Sequence, residues 1–331
     1  MKSSGIGGQA VIEGIMMKND DEYAVAVRKE DQSIEVLKEK YKLIAGENKL
    51  LSFPFIRGIF NFIDSLVLGI KTLTWSASFF EEEEDTEPEK AGFVERHFSR
   101  EMAEKLLMGF TICLSVCLAV GIFMVFPAFL TGLLGRGVDS PLFLAALEGV
   151  VRILIFVLYV LLISRMEDIR RVFMYHGAEH KCINCIEHGL ALNVENVRSS
   201  SRQHKRCGTS FMLFVMLVSI VMFMFIQTET VWMRMLSRIL LVPVIAGISY
   251  EILHLAGNSD NAIVNLISKP GLALQNLTTR EPDDDMIEVA IQAVEAVFDW
   301  RKWQEESKRE EESKREEKSK RQKESKREEK Q

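Results

Sequence analysis

The chain has 331 residues, of which 47% are hydrophobic and 27% are charged, and its formal net charge is −6. The apolar residues are concentrated in the middle of the chain and the charged ones at its end, so the average composition describes neither part. The five cysteines are odd in number and do not form the pattern of a secreted disulfide framework, which favours reduced thiols or metal ligands. The N-terminus has no signal-peptide core, so we expect it to be retained.

Residues 1–48 form the first predicted unit. They contain β-branched runs separated by the turn-like stretches NDDE and EDQ, which predict a small β-sheet of about three strands on the cytosolic side. The glycine-rich opening Gly5–Gly8 lacks the preceding strand and the Lys-Ser/Thr pair of a phosphate-binding loop. A tight turn or a flexible segment is therefore the better interpretation of these glycines.

Residues 49–80 are apolar but carry Arg57, Asp64 and Lys71 at intervals of seven. On a helix these charges form one stripe, which predicts a segment lying at the membrane interface or in a groove against other helices. A tilted transmembrane helix with its polar stripe facing the bundle is the alternative. The acidic segment 81–105 that follows is predicted to be a solvated linker.

Four apolar stretches are each about long enough to cross a bilayer, and backbone groups in lipid must be paired within a helix. They span residues 106–130, 142–163, 211–227 (extended by 208–210) and 237–256. We therefore expect a mainly α-helical integral membrane protein with about four transmembrane helices, one interfacial helix and a small N-terminal sheet. The transmembrane domain covers residues 106–268 and includes a polar loop at residues 164–210.

The loop charges predict the orientation of the chain. Eight basic residues lie between the second and third apolar stretches: Arg165, Arg170, Arg171, Lys181, Arg198, Arg202, Lys205 and Arg206. The two short loops carry only Arg136 and Arg234. The positive-inside rule then predicts a multi-pass cell-membrane protein whose central loop and both termini are cytosolic. The expected partner is the lipid bilayer, with a second copy or another membrane protein as candidates and no nucleic acid.

The sequence Lys269-Pro270-Gly271 is expected to break the chain after the fourth apolar stretch. Residues 269–303 then predict a cytosolic amphipathic helix, because Ile287, Ile291, Val294 and Phe298 recur at helical spacing. In the tail, residues 304–331, the sequence SKRE repeats with nothing apolar to bury. This tail is either a solvated helix or disordered.

The densest group of chemically capable side chains lies in the central loop. His176, Glu179 and His180 form an H-x-x-E-H pattern. On a helix both imidazoles lie on one face, one turn apart, so both could bind one metal ion. Glu179 would then be a general base that activates a water, as in the inverted zinc-protease signature. The pattern requires a third ligand from elsewhere, and a glycine at position 177 weakens the helix prediction.

Two further pairs in the loop could supply ligands. His204-x-x-Cys207 offers the third ligand of an open, catalytic site. Cys182-x-x-Cys185 could combine with that pair in a closed, structural zinc ribbon. His188 is spare in either arrangement, and a loop held by hydrogen bonds without metal is the third interpretation. The predicted cofactor is a divalent metal ion, with zinc as the first choice.

Glu148 and Arg152 lie four residues apart inside the second apolar stretch. Charges at that depth are costly and often mark function, but these two can also neutralise each other and orient helix packing. We favour the mutual pairing and treat both as accessory candidates. A cavity lined by them would instead indicate a transporter.

Several motifs, in order, resemble one known family: GGQAVIEGIMMK, YHGAEHK, RCGTSF, AGISYE and PGLALQNLTTREPDDDMIEVAI. They are similar to the YqhQ-like family of bacterial multi-pass membrane proteins, which are labelled predicted metal-dependent enzymes. The resemblance implies that His176, Glu179, His180, His204 and Cys207 belong to a common core, and that Cys182 and Cys185 do not.

Two functions are therefore expected. The first is a membrane metalloprotein with hydrolase-like chemistry at the cytosolic surface, with Glu179 as base and His176, His180 and either His204 or Cys207 as ligands. The second is a non-enzymatic scaffold or regulator whose loop is held by a structural metal or by hydrogen bonds.

Overall fold

The structure, a computed structural model, describes residues 3–44, 46, 51, 53–80, 100–135, 137–138, 140–226, 231–258 and 261–328. Most of the acidic segment expected at 81–105 lies outside these ranges. Four strands come first: β1 Gly7–Val11, β2 Gly14–Asn19, β3 Glu22–Arg28 and β4 Ile34–Lys40. The helices are α1 Ile56–Ala77, α2 Arg100–Val120, α3 Phe126–Leu134, α4 Pro141–Ile163, α5 Glu167–Glu187, α6 Val194–Ser199, α7 Gly208–Phe225, α8 Val231–Asn258, α9 Ala262–Thr278, α10 Asp284–Val297 and α11 Trp300–Glu328.

The N-terminal sheet is an antiparallel meander in the order β1-β2-β3-β4. Side chains alternate between its two faces because successive residues of a strand point in opposite directions. Ile15, Met17 and Ala26 are fully buried on one face, where they meet α5 and α10. Val25 and Val27 are fully buried on the other, where the core includes Leu68 of α1. The sheet with α5, α6 and α10, here called the sheet domain, is thus a layered unit, and α1 covers the other face of the sheet.

The four predicted apolar stretches are helical, as expected. Within the described residues, four helical stretches are long and apolar enough to cross a membrane: Lys105–Leu134, Leu142–Ile163, Gly208–Phe225 and Leu236–Gly257. The first is made of α2 and α3 joined through a π-helical turn, Gly121–Val125. Helix α7 packs against α4, α8 and α9. Together they form the helical bundle.

Helix α1 carries the three charges noted in its sequence, and each has a partner in another element. Arg57 pairs with Glu251 of α8 at 2.7 Å, and Lys71 pairs with Glu39 of β4 at 2.6 Å. The buried carboxylate of Asp64 accepts a hydrogen bond from the Tyr41 hydroxyl at 2.9 Å. The polar stripe of α1 therefore joins the sheet domain to the helical bundle.

The break expected at Lys269-Pro270-Gly271 is wrong, because α9 continues through Pro270 to Thr278. Tertiary contacts outweigh the missing N–H of the proline. Gly271 lies so close to α7 that an added Cβ would be 2.8 Å from the hydroxyl oxygen of Ser210. Gln275 donates hydrogen bonds to that hydroxyl and to the carbonyl of His204. Further on, α10 buries Ile287 and Val294, and α11 is helical through most of the tail.

Candidate metal centre

The central segment 164–210, expected to be a loop, is largely helical. Three residues separate the end of α4 from the start of α5, and the segment ends at Cys207, the N-cap of α7. The glycine at position 177 lies inside α5 for a steric reason. A Cβ on Gly177 would be 2.0 Å from the carbonyl oxygen of Arg280, so the main chain after α9 crosses α5 at this point.

Three of the predicted ligands meet where α5 approaches the first turn of α7. The ligand atoms of His176, His180 and Cys207 all lie within 4.8 Å of one another. The Sγ of Cys207 is 3.2 Å from Nε2 of His176, and the two imidazole centroids are 4.4 Å apart. Within the described ranges, no other group of three or more His, Cys, Asp or Glu side chains is arranged as a candidate metal site.

Main-chain carbonyls hold both imidazoles from behind. The Nδ1 of His176 is 2.9 Å from the carbonyl oxygen of Thr278, and the Nδ1 of His180 is 2.6 Å from that of Arg202. A carbonyl oxygen can only accept, so each Nδ1 must carry the proton of its hydrogen bond. Each Nε2 then presents a lone pair, the arrangement that orients histidine ligands in metal sites.

Glu179 is buried beside these ligands. Its carboxylate accepts a hydrogen bond from the main-chain N–H of Gly8 in β1. Its Oε2 is buried and has no hydrogen-bond partner in the part of the chain that the structure describes. Burial raises the pKa of this carboxyl to about 7, although the nearby His176 and the Gly8 hydrogen bond both act to lower it.

His204 lies outside this group of ligand atoms. Its Nε2 is 3.6 Å from Oε2 of Glu187, and its main-chain N–H donates to Gln275. Burial lowers the pKa of His204. Burial alone would raise the pKa of Glu187, but the imidazole of His204 and the guanidinium of Arg206 lower it to about 2. The carboxylate of Glu187 also accepts hydrogen bonds from Ser4, so it ties the N-terminus to the centre.

The closed zinc ribbon is not assembled. Cys182 and Cys185 are fully buried in the apolar core shared with the sheet and α10, and burial raises the pKa of both thiols. Cys182 lies two residues after His180, about 200° further around the helix, and therefore on the opposite face. His188 is exposed at the end of α5, where its Nδ1 is 2.7 Å from the carbonyl oxygen of Asn184.

Glu148 and Arg152 pair in α4 at 2.8 Å, in line with the favoured interpretation. The sequence reading missed a third member: Arg238 of α8 pairs with the other carboxylate oxygen at 2.7 Å. The sequence could have indicated it, because Arg238 is a charged residue inside the fourth apolar stretch. Gly8 and the carbonyls of Thr278 and Arg202 were also missed, because their roles belong to the main chain.

Together, these features define a protein with four helices that could cross a membrane and a histidine and cysteine cluster, two of its three side chains buried, where the bundle joins the sheet domain. Residues 53–300 match a family described as proteins of unknown function, DUF1385. The chain is 34% identical over 306 residues to the uncharacterized protein YqhQ of Bacillus subtilis (strain 168), covering 92% of this chain and 95% of that protein. The chain belongs to this family, and the YqhQ-like resemblance is confirmed. No solved structure matches the chain.

Proposed function

We propose that this protein is a membrane metalloprotein in which His176, His180 and Cys207 bind one divalent metal ion. The observation that supports the proposal is the convergence of one sulfur and two imidazoles within 4.8 Å, with both Nδ1 atoms held by main-chain carbonyls. A thiolate with two imidazoles is a donor set that suits Zn²⁺. Three protein ligands leave one position of a tetrahedral shell for a substrate or water, as in catalytic sites.

The proposed reaction class is hydrolysis. A bound divalent ion would supply Lewis acidity at the open position. Glu179 supplies the base: its Oε2 is buried, lacks a partner among the described residues and belongs to the residue next to the ligand His180. The Gly8 N–H holds the other part of the carboxylate in place, so the free oxygen has a defined position for accepting a proton from water.

The loop charges support an orientation for this site. The basic residues of the central segment favour a cytosolic position for the sheet domain, both termini and the metal centre, in the cell membrane. Cys207 directly precedes Gly208, the first residue of an apolar stretch, and the two histidine ligands lie close to it on α5. We therefore expect substrates that reach the membrane surface, such as lipid headgroups or membrane-near peptides.

Metal content and Co²⁺ spectroscopy test the proposal without a known substrate. Detergent-purified protein should hold one equivalent of metal by elemental analysis, and Co²⁺-loaded protein should show a thiolate-to-cobalt charge-transfer band. His176→Ala should lose the metal and Cys207→Ser should lose the band. His188→Ala is the matched control, since it removes an exposed imidazole from the residue that follows the same helix. Metal-free purified protein that also fails to bind added Co²⁺ would contradict the proposal.

The open position and the base are tested separately. Acetohydroxamate should perturb the Co²⁺ spectrum if a coordination position is free, and a closed structural site should not respond. Glu179→Gln should retain the metal and its spectrum. It should also lose any hydrolysis of vesicle phospholipids or membrane-anchored peptides that the wild type shows. Hydrolysis that survives this change would remove Glu179 from the role of base and favour a scaffold with a structural metal.

The Cys207–His176 contact favours a second candidate, a metal-free thiol–imidazole pair. The sulfur lies 3.2 Å from Nε2 of His176, which is the arrangement of a cysteine nucleophile beside a histidine base. Protein isolated without metal should then alkylate at Cys207 with iodoacetamide near neutral pH. Added Zn²⁺ would protect Cys207 if the metal site is correct and would not if the thiol acts alone.

A further inference from the structure

A charged cluster lies in the helical bundle, away from the metal centre. Glu148 and Arg152 of α4, Ser219 of α7 and Arg238 of α8 are each less than 9% exposed. Glu148 accepts from Arg152 through one carboxylate oxygen and from Arg238 through the other, at 2.8 and 2.7 Å. Both oxygens of the carboxylate are thereby engaged by guanidinium groups.

The cluster carries one more positive charge than negative. Arginine stays protonated in proteins, so two guanidiniums face one carboxylate. Arg152 donates from Nη1 to the Ser219 hydroxyl at 2.9 Å, and no other carboxylate within the described ranges pairs with either arginine. The Nε of Arg152 is buried and has no hydrogen-bond partner among the same residues. A simple neutral pair would leave neither the extra charge nor this free donor.

The cluster also has an aromatic wall and a defined depth. Both guanidiniums lie over the ring of Phe223, 5.3 and 5.1 Å from its centroid. Arg238 follows Leu236, the first residue of its apolar stretch, by two positions, which is about 3 Å along the helix axis. Ser219 lies six positions before the end of α7, about 9 Å deep. The cluster thus begins near the end of the bundle opposite to Cys207.

We infer that Arg152 and Arg238 form a binding site for a monoanionic phosphate group. One excess positive charge matches one negative charge, and the planar guanidinium fork with a free N–H suits phosphate oxygens. Burying an uncompensated cation in a bilayer is costly, and such residues mark functional sites. The phosphate is either the phosphodiester of a membrane lipid or free dihydrogen phosphate. The site is independent of the metal centre.

Native mass spectrometry of delipidated full-length protein, after addition of phosphatidylglycerol, tests the lipid source. Wild type should retain one lipid through detergent removal, and Arg238→Gln should lose it. Arg165→Gln is the matched control, because it removes an exposed arginine after the other end of α4 and should retain the lipid. Binding of free phosphate is tested by thermal unfolding of the lipid-free protein. The unfolding temperature in sodium phosphate is compared with that in sodium chloride of equal ionic strength. A stabilising shift that Arg238→Gln abolishes would assign free phosphate.

Glu148→Gln separates a binding site from a purely structural ion network. This change removes the competing carboxylate and keeps both guanidiniums, so phosphate or lipid retention should persist or strengthen. A structural network predicts the same loss of retention for Glu148→Gln as for Arg238→Gln, and that result would overturn the inference. Wild-type protein that retains no lipid and gains no stability from phosphate would overturn it as well.

Discussion

The main-chain N–H of Gly8 donates a hydrogen bond to the carboxylate of Glu179, so the first strand of the sheet lies directly against the candidate metal centre. The contact is close because Gly8 has no side chain. An added Cβ would be 3.2 Å from Cδ of Glu179 and only 2.5 Å from the carbonyl oxygen of Met16. The glycine-rich start of the chain is therefore a wall of the site.

Gly8→Ala should push β1 away from β2 and from Glu179 and destabilise the protein by about 1–3 kcal/mol, the usual cost of overpacking. The cost arises because the new methyl group meets main chain, which cannot rotate away. Thermal unfolding in detergent measures it. Gly7→Ala is the control, since a Cβ there meets nothing within 4 Å. Equal stability of the two variants would show that the contact is not as close as described.

Gly177→Ala should weaken metal binding about 10- to 100-fold, the usual cost of disturbing a hydrogen-bond partner of a ligand. The new Cβ would force the carbonyl of Arg280 away from α5, and with it the Thr278 carbonyl that orients His176. Competition with a coloured zinc chelator measures the affinity. Gly208→Ala, beside the ligand Cys207 but with open space around its Cβ, should change it little. An unchanged metal affinity in Gly177→Ala would show that the Thr278 carbonyl does not contribute to metal binding.

Cys182→Ser should destabilise the protein by about 1–3 kcal/mol while leaving metal content unchanged, because a hydroxyl would enter an apolar core. Cys207→Ser should lose metal instead. Cys117→Ser, at an exposed position of α2, is the control for thiol removal and should change neither property. If folded Cys182→Ser protein loses its metal, the zinc-ribbon interpretation would be supported against the geometry.

Acid should loosen the N-terminus through Glu187. The pKa of Glu187 is about 2 in the folded chain, against an ordinary value of 4.5 for a glutamate, so its stabilisation is complete above about pH 4.5 and is lost as the pH falls toward 2. The difference corresponds to about 3 kcal/mol. Unfolding measured across this range should therefore depend less steeply on pH in Glu187→Gln than in wild type. Parallel curves would show that Ser4, His204 and Arg206 do not hold this carboxylate as described.

Much of the architecture could be predicted because its signals are local. The four apolar stretches follow from hydropathy, and the alternation of Met16 and Met17 between the faces of the sheet follows from the period of a strand. The helix through Pro270 could not be predicted. Its cause is the fit of Gly271 against α7 and the hydrogen bonds of Gln275, contacts that only the assembled bundle contains.

The sequence predicted which types of residue form the candidate site, but not which particular residues come together. Spacing indicated that His176 and His180 share a face, but it did not choose between His204 and Cys207. That choice depends on how the chain enters α7, where Cys207 becomes the N-cap and His204 turns toward Glu187. The role of Arg238 could not be predicted for the same reason, because its partner Glu148 lies ninety residues earlier in the chain.

The carbonyl behind His176 belongs to Thr278, 102 residues further along the chain and beyond all four apolar stretches. The chain must therefore be synthesised beyond Thr278 before this imidazole acquires its support. Truncated or half-inserted chains would hold the cysteine and both histidines without the backing that orients them. An ion captured here would thus distinguish chains in which Thr278 has reached α5 from chains in which it has not, and would tie cofactor acquisition to the assembly of segments on both sides of the membrane helices.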